Sequence, residues 1–552
     1  MEKNLFLKAQ PVWLEGRTEE IHVRALFRTV VTMNAGQAFV KIATSGIYNL
    51  YVNGCFVAYG PARAGRGKFR MDNLEVSRWV RQGENTISIE VAGYFVNSFY
   101  LIKQPSFLQA EVMQGETVCS FTGDNSFEAA QDSCVLQKVQ RFSFQRPMVE
   151  SYRLSPDWDA YRTSSMPMKN AVTPAVQEQK EIIARLAPYP VYEVLPAAPI
   201  GSGTIGKSSS SDPPPRDRSV TDIGPLLQGF PLEELELCVT DQIQGLTFSF
   251  DSSPKPGNQL AADEFRLYEL PYNATGMLTA QVRCEQDIEL FMVFDEVLWN
   301  GDIYIPRSGC ANTVKFFLKK GSYRLKLFEV YTMKFIKLCV LGGSAEISQL
   351  QLIEYKHPPI SYLPEIAKKD PDLTKICHAA LESYRQNAVD LFIDCPSRER
   401  AGWLCDSFFT GRVEKLLTGS SLLEKSFLEN FLHEEHYVAL PHGMFPMCYP
   451  GDHPDGGFIT PWAMWLVLEL VEYQTRSGDR ALIDAFRHKV YELLAYLKGK
   501  ENSDGLLEKL DGWVFVEWSK ANELGQDVNY PTNMVYCGML RAAAQLYNDP
   551  AL

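Results

Sequence analysis

The sequence has little of what marks several classes of protein. Its 552 residues contain no run of about 18 apolar residues, so no transmembrane helix is predicted. With 37 Gly and 32 Pro, the two together make 12.5% of the chain, which excludes collagen-like and low-complexity proteins. The 12 Cys form no CxxC pair, so we expect neither a metal site nor a disulfide framework. Lys and Arg number 54 against 67 Asp and Glu, and a net charge of −13 disfavours nucleic acid and anionic membranes as partners.

The N-terminal residues also lack the pattern of a secretory signal peptide. The string MEKNLFLKAQPVW has no apolar h-region and no small-residue cleavage site. Together with the absence of paired cysteines, this favours a cytoplasmic protein, and secretion after removal of a signal stays open. The sequence leaves the choice between a monomer and a homodimer open.

The composition is that of an ordinary globular protein, and the two halves of the chain differ in their hydrophobic patterns. Hydrophobic residues make 45% of the chain, and its length suits about three or four domains. Before about residue 360, short period-2 runs such as GQAFVKIATSG and RLKLFEV alternate with Gly and Asn turns, which is typical of antiparallel β-sandwiches. We therefore predict one β-sandwich over residues 1–165 and a second over 166–360. A flexible loop is expected at 200–220, because that stretch is rich in Ser, Gly and Pro.

In the second half, apolar residues recur at helical spacing instead of at every second position. WAMWLVLELVEYQTRSGD and ALIDAFRHKVYELLAYLKGK carry apolar residues at helical spacing, separated by stops such as SGD and NSDG. Successive helices of this kind predict a helical domain of stacked hairpins over residues 361–552.

Two motif matches are rejected on their context. Gly201–Ser208 fits the P-loop expression GxxxxGK[ST], but SSSSDPPPRDR follows it, and that string cannot form the helix whose N-terminus would hold a phosphate. His433 and His436 are three residues apart rather than four, so they do not match the helical HExxH zinc motif.

One short segment contains several residue types that could take part in catalysis. Residues 390–406 read DLFIDCPSRERAGWLCD, and Pro396 and Gly402 interrupt any helix there, so we predict a loop between two helices. A carboxyl group beside other carboxyls and apolar rings has a raised pKa, as the proton donor of glycoside hydrolysis needs. Arg398 and Arg400 would oppose that shift if they faced Glu399, so we expect either that they pair elsewhere or that the donor role of Glu399 is weaker. A salt-bridged helix connection explains the segment equally well on chemistry alone. Its carboxylates are Asp390, Asp394, Glu399 and Asp406.

The string DCPSRERAGWLCD resembles the signature of family 78 glycoside hydrolases, the bacterial α-L-rhamnosidases. YNLYVNGCFVAYGPAR with RQGENTISIEV, and ATGMLTAQVRCEQDIELFMVFDE, look like the β-sandwich domains of that family. The resemblance implies β-sandwiches leading to an (α/α)6 barrel, and inverting hydrolysis of terminal α-L-rhamnosides without a cofactor. It also implies Glu399 as general acid, Asp394 and Asp406 on sugar hydroxyls, Arg398 on the sugar or these carboxylates, and Trp403 in the pocket wall.

The remaining expectations concern the rest of a sugar pocket. Glu517 and Trp518 lie where such rhamnosidases usually have Asp and Trp, and Asp455 lies on a Gly-rich loop of the kind that rims a barrel; all three are predicted substrate-binding residues. Only about six of twelve barrel helices are predicted, so we expect the general base beyond Leu552, and a degenerate barrel is the alternative. The alternatives are a glycosidase for another terminal sugar and a carbohydrate-binding protein without turnover.

Overall fold

The structure is a computed structural model that describes residues 5–209, 214–253, 255–362, 364–518 and 527–551. Two β-rich regions come first and a helical region follows, as the change of period near residue 360 predicts. In the described ranges, no helix combines the length and the apolar character needed to cross a membrane.

The first β region is a sandwich whose two sheets enclose one apolar core that includes Trp13 and Phe27. Its strands are β1 (Val12–Trp13), β2 (Val23–Met33), β3 (Ala38–Thr44), β4 (Ile47–Val52), β5 (Cys55–Gly60), β6 (Lys68–Glu75), β7 (Gly83–Gly93), β8 (Leu108–Gln114), β9 (Thr117–Phe121) and β10 (Glu128–Gln131). One sheet has the order β1-β8-β3-β6, with β9 on β8, and the other has the order β10-β2-β7-β4-β5.

The second β region is built around one long strand that serves two layers. Its first half pairs with strands of one layer, and its second half pairs with strands of the other, with an irregular register between Glu269 and Ala274. The strands that follow the first sandwich are β11 (Ser151–Leu154), β12 (Ala175–Val176), β13 (Glu181–Ala184), β14 (Val194–Pro196), β15 (Ala198–Lys207), β16 (Leu246–Phe250), β17 (Gln259–Leu260), the long β18 (Glu264–Cys284), β19 (Ile288–Asp295), β20 (Thr313–Leu318), β21 (Gly321–Lys326), β22 (Tyr331–Leu341) and β23 (Ala345–Glu354).

The chain does not divide sharply at residue 165. β11 lies before that point but pairs with β20 of the second region, whereas β12 and β13 lie after it and pair with β1 and β6 of the first. Residues 134–187 therefore cross between the two β regions and tie them together.

The prediction of a flexible loop at 200–220 is wrong for residues 200–207. Residues 198–207 form β15, which pairs with both β16 and β18. Gly203 permits this, since a Cβ there would lie 2.1 Å from the Ser249 carbonyl oxygen. The glycines that suggested a flexible segment thus allow close strand contact. Residues 210–213 lie outside the described part. Gly201–Lys207 is an extended strand, a backbone unlike the loop and helix start that hold a phosphate in a P-loop.

The helical region confirms the predicted helices. Each pair α4–α5 and α6–α7 is joined by a short turn that begins at a left-handed glycine, Gly419 or Gly478, as helix C-termini favour. α6 packs against α4, α7 and α8. The helices are α1 (Arg218–Thr221) and α2 (Val239–Gln244) in the second β region, then α3 (Pro371–Asn387), α4 (Asp406–Thr418), α5 (Leu422–Asn430), α6 (Thr460–Ser477), α7 (Arg480–Lys498) and α8 (Tyr530–Tyr547).

Candidate active site

Residues 390–406 form the connection between α3 and α4, as the sequence predicts. The Asp394 and Arg400 amides donate to the carbonyls of Ala401 and Cys395, which close the loop on itself. The loop then runs beside residues 447–449, where the Leu404 amide donates to Met447 O at 2.9 Å. Gly402 allows this approach, since a Cβ would lie 2.9 Å from the Tyr449 carbonyl oxygen. The acidic loop is therefore held in one conformation by its own backbone and by the segment after α5.

Glu399 is the buried acid of this loop. Its side chain is 0% exposed, whereas the Arg398 side chain that covers it is 40% exposed. Arg398 Nε donates to Glu399 Oε2 at 2.8 Å, and Trp403 Nε1 donates to Oε1 at 3.1 Å. The expectation that both arginines avoid Glu399 is thus wrong for Arg398, because adjacent side chains fold onto each other here. Arg400 does turn away, and its guanidinium lies over the Tyr355 ring.

Asp394 and Asp406 flank Glu399 and are exposed. Asp406 is the first residue of α4. Partial removal of water from its carboxyl group, together with the negative charges of Asp394 and Glu399, raises the pKa of Asp406 to about 7, although the residue as a whole is exposed. The structure brings together the three carboxyls that the sequence predicts, and near neutral pH Asp406 holds a proton for much of the time.

Asp390 lies at the other, buried end of the loop and has its own cation. Arg63, from the segment between β5 and β6, donates from Nε and Nη2 to the two Asp390 oxygens at 2.7 and 3.0 Å. Burial raises the pKa of Asp390, but the charge and hydrogen bonds of Arg63 outweigh it and lower the pKa to about 2. Arg63 Nη1 also donates to the carbonyl of Arg400, at 2.5 Å. That residue has a left-handed backbone (φ 56°), so Arg63 holds a strained position next to Glu399.

Three aromatic side chains, Phe99, Trp403 and His453, form an aromatic wall beside this loop. Phe99 follows β7, and its ring centroid lies 6.0 Å from that of Trp403 and 4.9 Å from that of His453. The Ser98 carbonyl accepts from the amide of Asp452 at 2.8 Å, which fixes the contact. Sequence reasoning missed Arg63 and Phe99, because their partners lie more than 300 residues away and neither stands in a recognisable motif.

Asp455 lies two residues after His453, on the loop that joins this wall to α6. Its Oδ1 accepts from the Gly457 amide at 3.1 Å, so it orders its own loop. Its predicted contact with a sugar stays a prediction.

Glu517 and Trp518 lie on the segment between α7 and α8. The Trp518 ring contacts those of Trp513 and Phe515, at 5.7 and 4.9 Å between centroids, and Phe515 in turn contacts Trp462 at the start of α6. These contacts build an aromatic cluster against α6. The role of Glu517 and Trp518 in a sugar pocket stays a prediction.

Cys395 and Cys405 are half-buried and suit packing better than nucleophilic catalysis. Burial raises the pKa of both thiols, that of Cys405 to about 12, so the reactive thiolate is disfavoured. The ligand atoms of Asp394, Cys395 and Glu399 lie close enough to hold a metal ion. The Arg398 guanidinium contacts both Glu399 and Cys395 Sγ, however, and supplies the positive charge there.

Solved structures share this architecture over almost the whole chain. The crystal structure of a GH78 family rhamnosidase of Bacillus sp. GL1 matches with a TM-score of 0.76, 13% identity, 98% of this chain and 74% of that one. An α-L-rhamnosidase of Streptomyces avermitilis complexed with L-rhamnose matches with a TM-score of 0.62, 17% identity, 96% of this chain and 47% of that one. At these identities the likeness is one of fold, and it places the chain in the class of modular proteins with β domains followed by a helical domain.

The helical region matches a family model. Residues 364–548 match the bacterial α-L-rhamnosidase six-hairpin glycosidase domain. A curated α-L-rhamnosidase of Alteromonas sp. (strain LOR) is 19% identical over 234 residues, which is 40% of this chain and 24% of that protein. The chain thus spans about a quarter of the length of that relative. The resemblance predicted from DCPSRERAGWLCD is confirmed.

Proposed function

We propose that this protein hydrolyses terminal α-L-rhamnosyl residues of oligosaccharides or glycosides, with Glu399 as the proton donor. The observation that carries the proposal is the arrangement around Glu399. A fully buried carboxyl accepts from Arg398 and Trp403, lies between two exposed carboxyls, and faces an aromatic wall. Apolar ring faces suit the methyl group of a deoxy sugar, and exposed carboxylates suit its hydroxyls.

The proposed reaction is direct displacement with inversion. Glu399 gives its proton to the glycosidic oxygen as the bond from that oxygen to the anomeric carbon breaks. A water molecule attacks the anomeric carbon from the opposite face and gives its proton to a second carboxylate. The product is β-L-rhamnose. Asp394 and Asp406 hold hydroxyls while positive charge develops on the sugar ring.

Arg398 sets the condition under which Glu399 can act. Its guanidinium donates to Glu399 Oε2, and a proton donor must reach the glycosidic oxygen during the reaction. Because the Arg398 side chain is 40% exposed, it is free to turn toward a bound sugar. We propose that substrate draws Arg398 away from Glu399, which leaves the carboxyl group free to contact the glycosidic oxygen.

We further propose that α3–α8 are six of the twelve helices of an (α/α)6 barrel. The antiparallel pairs α4–α5 and α6–α7, with α8 packed on α6, support this arrangement.

The experiment compares wild type with Glu399→Gln on two α-L-rhamnosides. On an unactivated rhamnoside the variant should lose about 100-fold or more in kcat/KM, because its leaving group needs the proton. On p-nitrophenyl α-L-rhamnoside the loss should be smaller, since that leaving group departs without protonation. Product read by NMR within the first turnovers should be the β-anomer.

Glu365→Gln is the matched control, because its side chain is exposed and pairs with Lys368 at the surface. Equal loss of rate in E365Q and E399Q, or wild-type turnover by E399Q, contradicts the assignment. A panel of aryl glycosides tests whether another terminal sugar is the better substrate.

One observation favours a second candidate, a rhamnose-binding protein without turnover. Glu399 is completely covered and already ion-paired, which suits a structural carboxylate. Saturable L-rhamnose binding by calorimetry, with no hydrolysis of either rhamnoside, would select this candidate over the enzyme.

A further inference from the structure

A second cluster of polar side chains lies away from Glu399, between the loop that follows α5 and the side of α7. His436 and His442 come from that loop, and Glu492 comes from α7. One ligand atom from each of the three lies within 4.8 Å of the others. The two imidazole centroids are 4.7 Å apart, and His442 Nε2 lies 3.9 Å from Glu492 Oε1. Three metal-binding side chains thus converge on one point.

The backbone around the cluster is fixed at both ends of the loop. Lys489 Nζ donates to the carbonyls of Glu434 and Glu435, just before His436. Gly443, just after His442, has φ +84°, and a Cβ there would lie 2.4 Å from the carbonyl oxygen of Glu492. No other residue type fits that contact without a shift. The fold therefore brings both histidine positions against α7 before any ligand is present.

We propose that His436, His442 and Glu492 bind one zinc ion. Two imidazoles and one carboxylate form a donor set that zinc accepts, with bonds of about 2.0–2.2 Å. Ligand atoms in a tetrahedral site then lie roughly 3.3–3.5 Å apart, so the side chains must close by about 0.5–1.5 Å. His436 and His442 are 50% and 68% exposed, which leaves their rotamers free to do so. Water, or the exposed carboxylate of Glu435 beside His436, completes the fourth position.

The ion would clamp the loop onto α7. The same loop carries Val438 and Leu440, which line a groove of about 290 Å³ that also includes His453 of the aromatic wall. The clamp would hold one side of that groove in place. This inference is independent of the proposed hydrolysis.

The test uses the full chain without a histidine tag. After removal of metal with a chelator, zinc is titrated by calorimetry, and metal content after dialysis is read by elemental analysis. Wild type should bind one zinc per chain and show a raised thermal midpoint, whereas calcium should bind much more weakly because imidazole is a poor ligand for it. Limited proteolysis at Val438, which is 96% exposed, should slow when zinc is bound.

The variants are His436→Ala and His442→Ala, and His378→Ala is the control because it removes an exposed histidine from α3. All three side chains are exposed, so the fold is expected to survive each change. Each cluster variant should lose stoichiometric zinc, and the control should keep it. Absence of stoichiometric zinc in wild type, or equal loss in the control, overturns the proposal.

Discussion

Carboxyl groups lie at both ends of the acidic loop, but their surroundings shift the pKa in opposite directions. At the buried end, Asp390 has Arg63 as a dedicated bidentate partner, and its pKa falls to about 2. At the open end, the Arg398 guanidinium pairs with Glu399, and the pKa of Asp406, beside Asp394 and Glu399, rises to about 7.

The difference shows how one loop combines anchoring with reactivity. A complete ion pair has no capacity left for a ligand, so the Arg63 pair serves to hold the loop. An excess of carboxyls is costly without a partner and becomes useful when sugar hydroxyls or a proton satisfy it. The proposed chemistry belongs to the end where charge is unbalanced.

The largest expected effect comes from breaking the anchored end. Arg63→Ala leaves Asp390 buried without a partner and frees the Arg400 carbonyl, so the free energy of unfolding of the helical region should fall by about 3–5 kcal/mol. The measurement is urea denaturation followed by tryptophan fluorescence.

Two controls sharpen this result. Arg63→Lys keeps the charge but not the bidentate geometry, and should lie between wild type and the alanine variant. Lys375→Ala removes one partner of a pair whose side chains are 77% and 85% exposed, and should change stability by less than about 0.5 kcal/mol. A loss in R63A no larger than in K375A would show that the buried pair does not anchor the loop.

The next effect is the pH dependence of the Asp390 pair. Its folded pKa of about 2 lies below the ordinary 3.8, so ionised Asp390 stabilises the fold above about pH 4, and this contribution is lost as the pH falls toward 2. The full contribution is ~2 kcal/mol at 1.36 kcal/mol per pKa unit. The stability difference between wild type and Asp390→Asn, from urea midpoints, should therefore shrink as the pH is lowered from 5 toward 3. A constant difference would contradict this account.

The smallest effect has the opposite slope and belongs to Asp406. Its folded pKa of about 7 lies above the ordinary 3.8, so its protonation favours the fold at low pH, and this contribution is lost as the pH rises from about 4 to 7. Asp406→Asn should gain stability relative to wild type as the pH rises from 5 to 8, by a small amount because the residue is exposed. If both Asn variants show the same slope, the two ends of the loop do not differ as described.

Sequence reasoning found the open end of the loop because its residues are consecutive. Asp394, Glu399, Trp403 and Asp406 lie within 13 residues, so their chemistry was visible as a string. The helices were equally predictable, because apolar residues recur at helical spacing in each of them. The strand β15 was missed, because glycines that permit close strand contact and glycines that permit a turn look alike in sequence.

The sequence by itself determined two β regions, a helical region and an acidic loop between helices, because local pattern and chain proximity fix these features. Only the tertiary structure decided which acid is anchored and which is exposed, where Arg398 points, and that Phe99 and Arg63 reach the loop. It also decided that His436, His442 and Glu492 meet. Each of these depends on contacts between distant segments, and the energy of a charge depends on the partner and the water that those contacts leave to it.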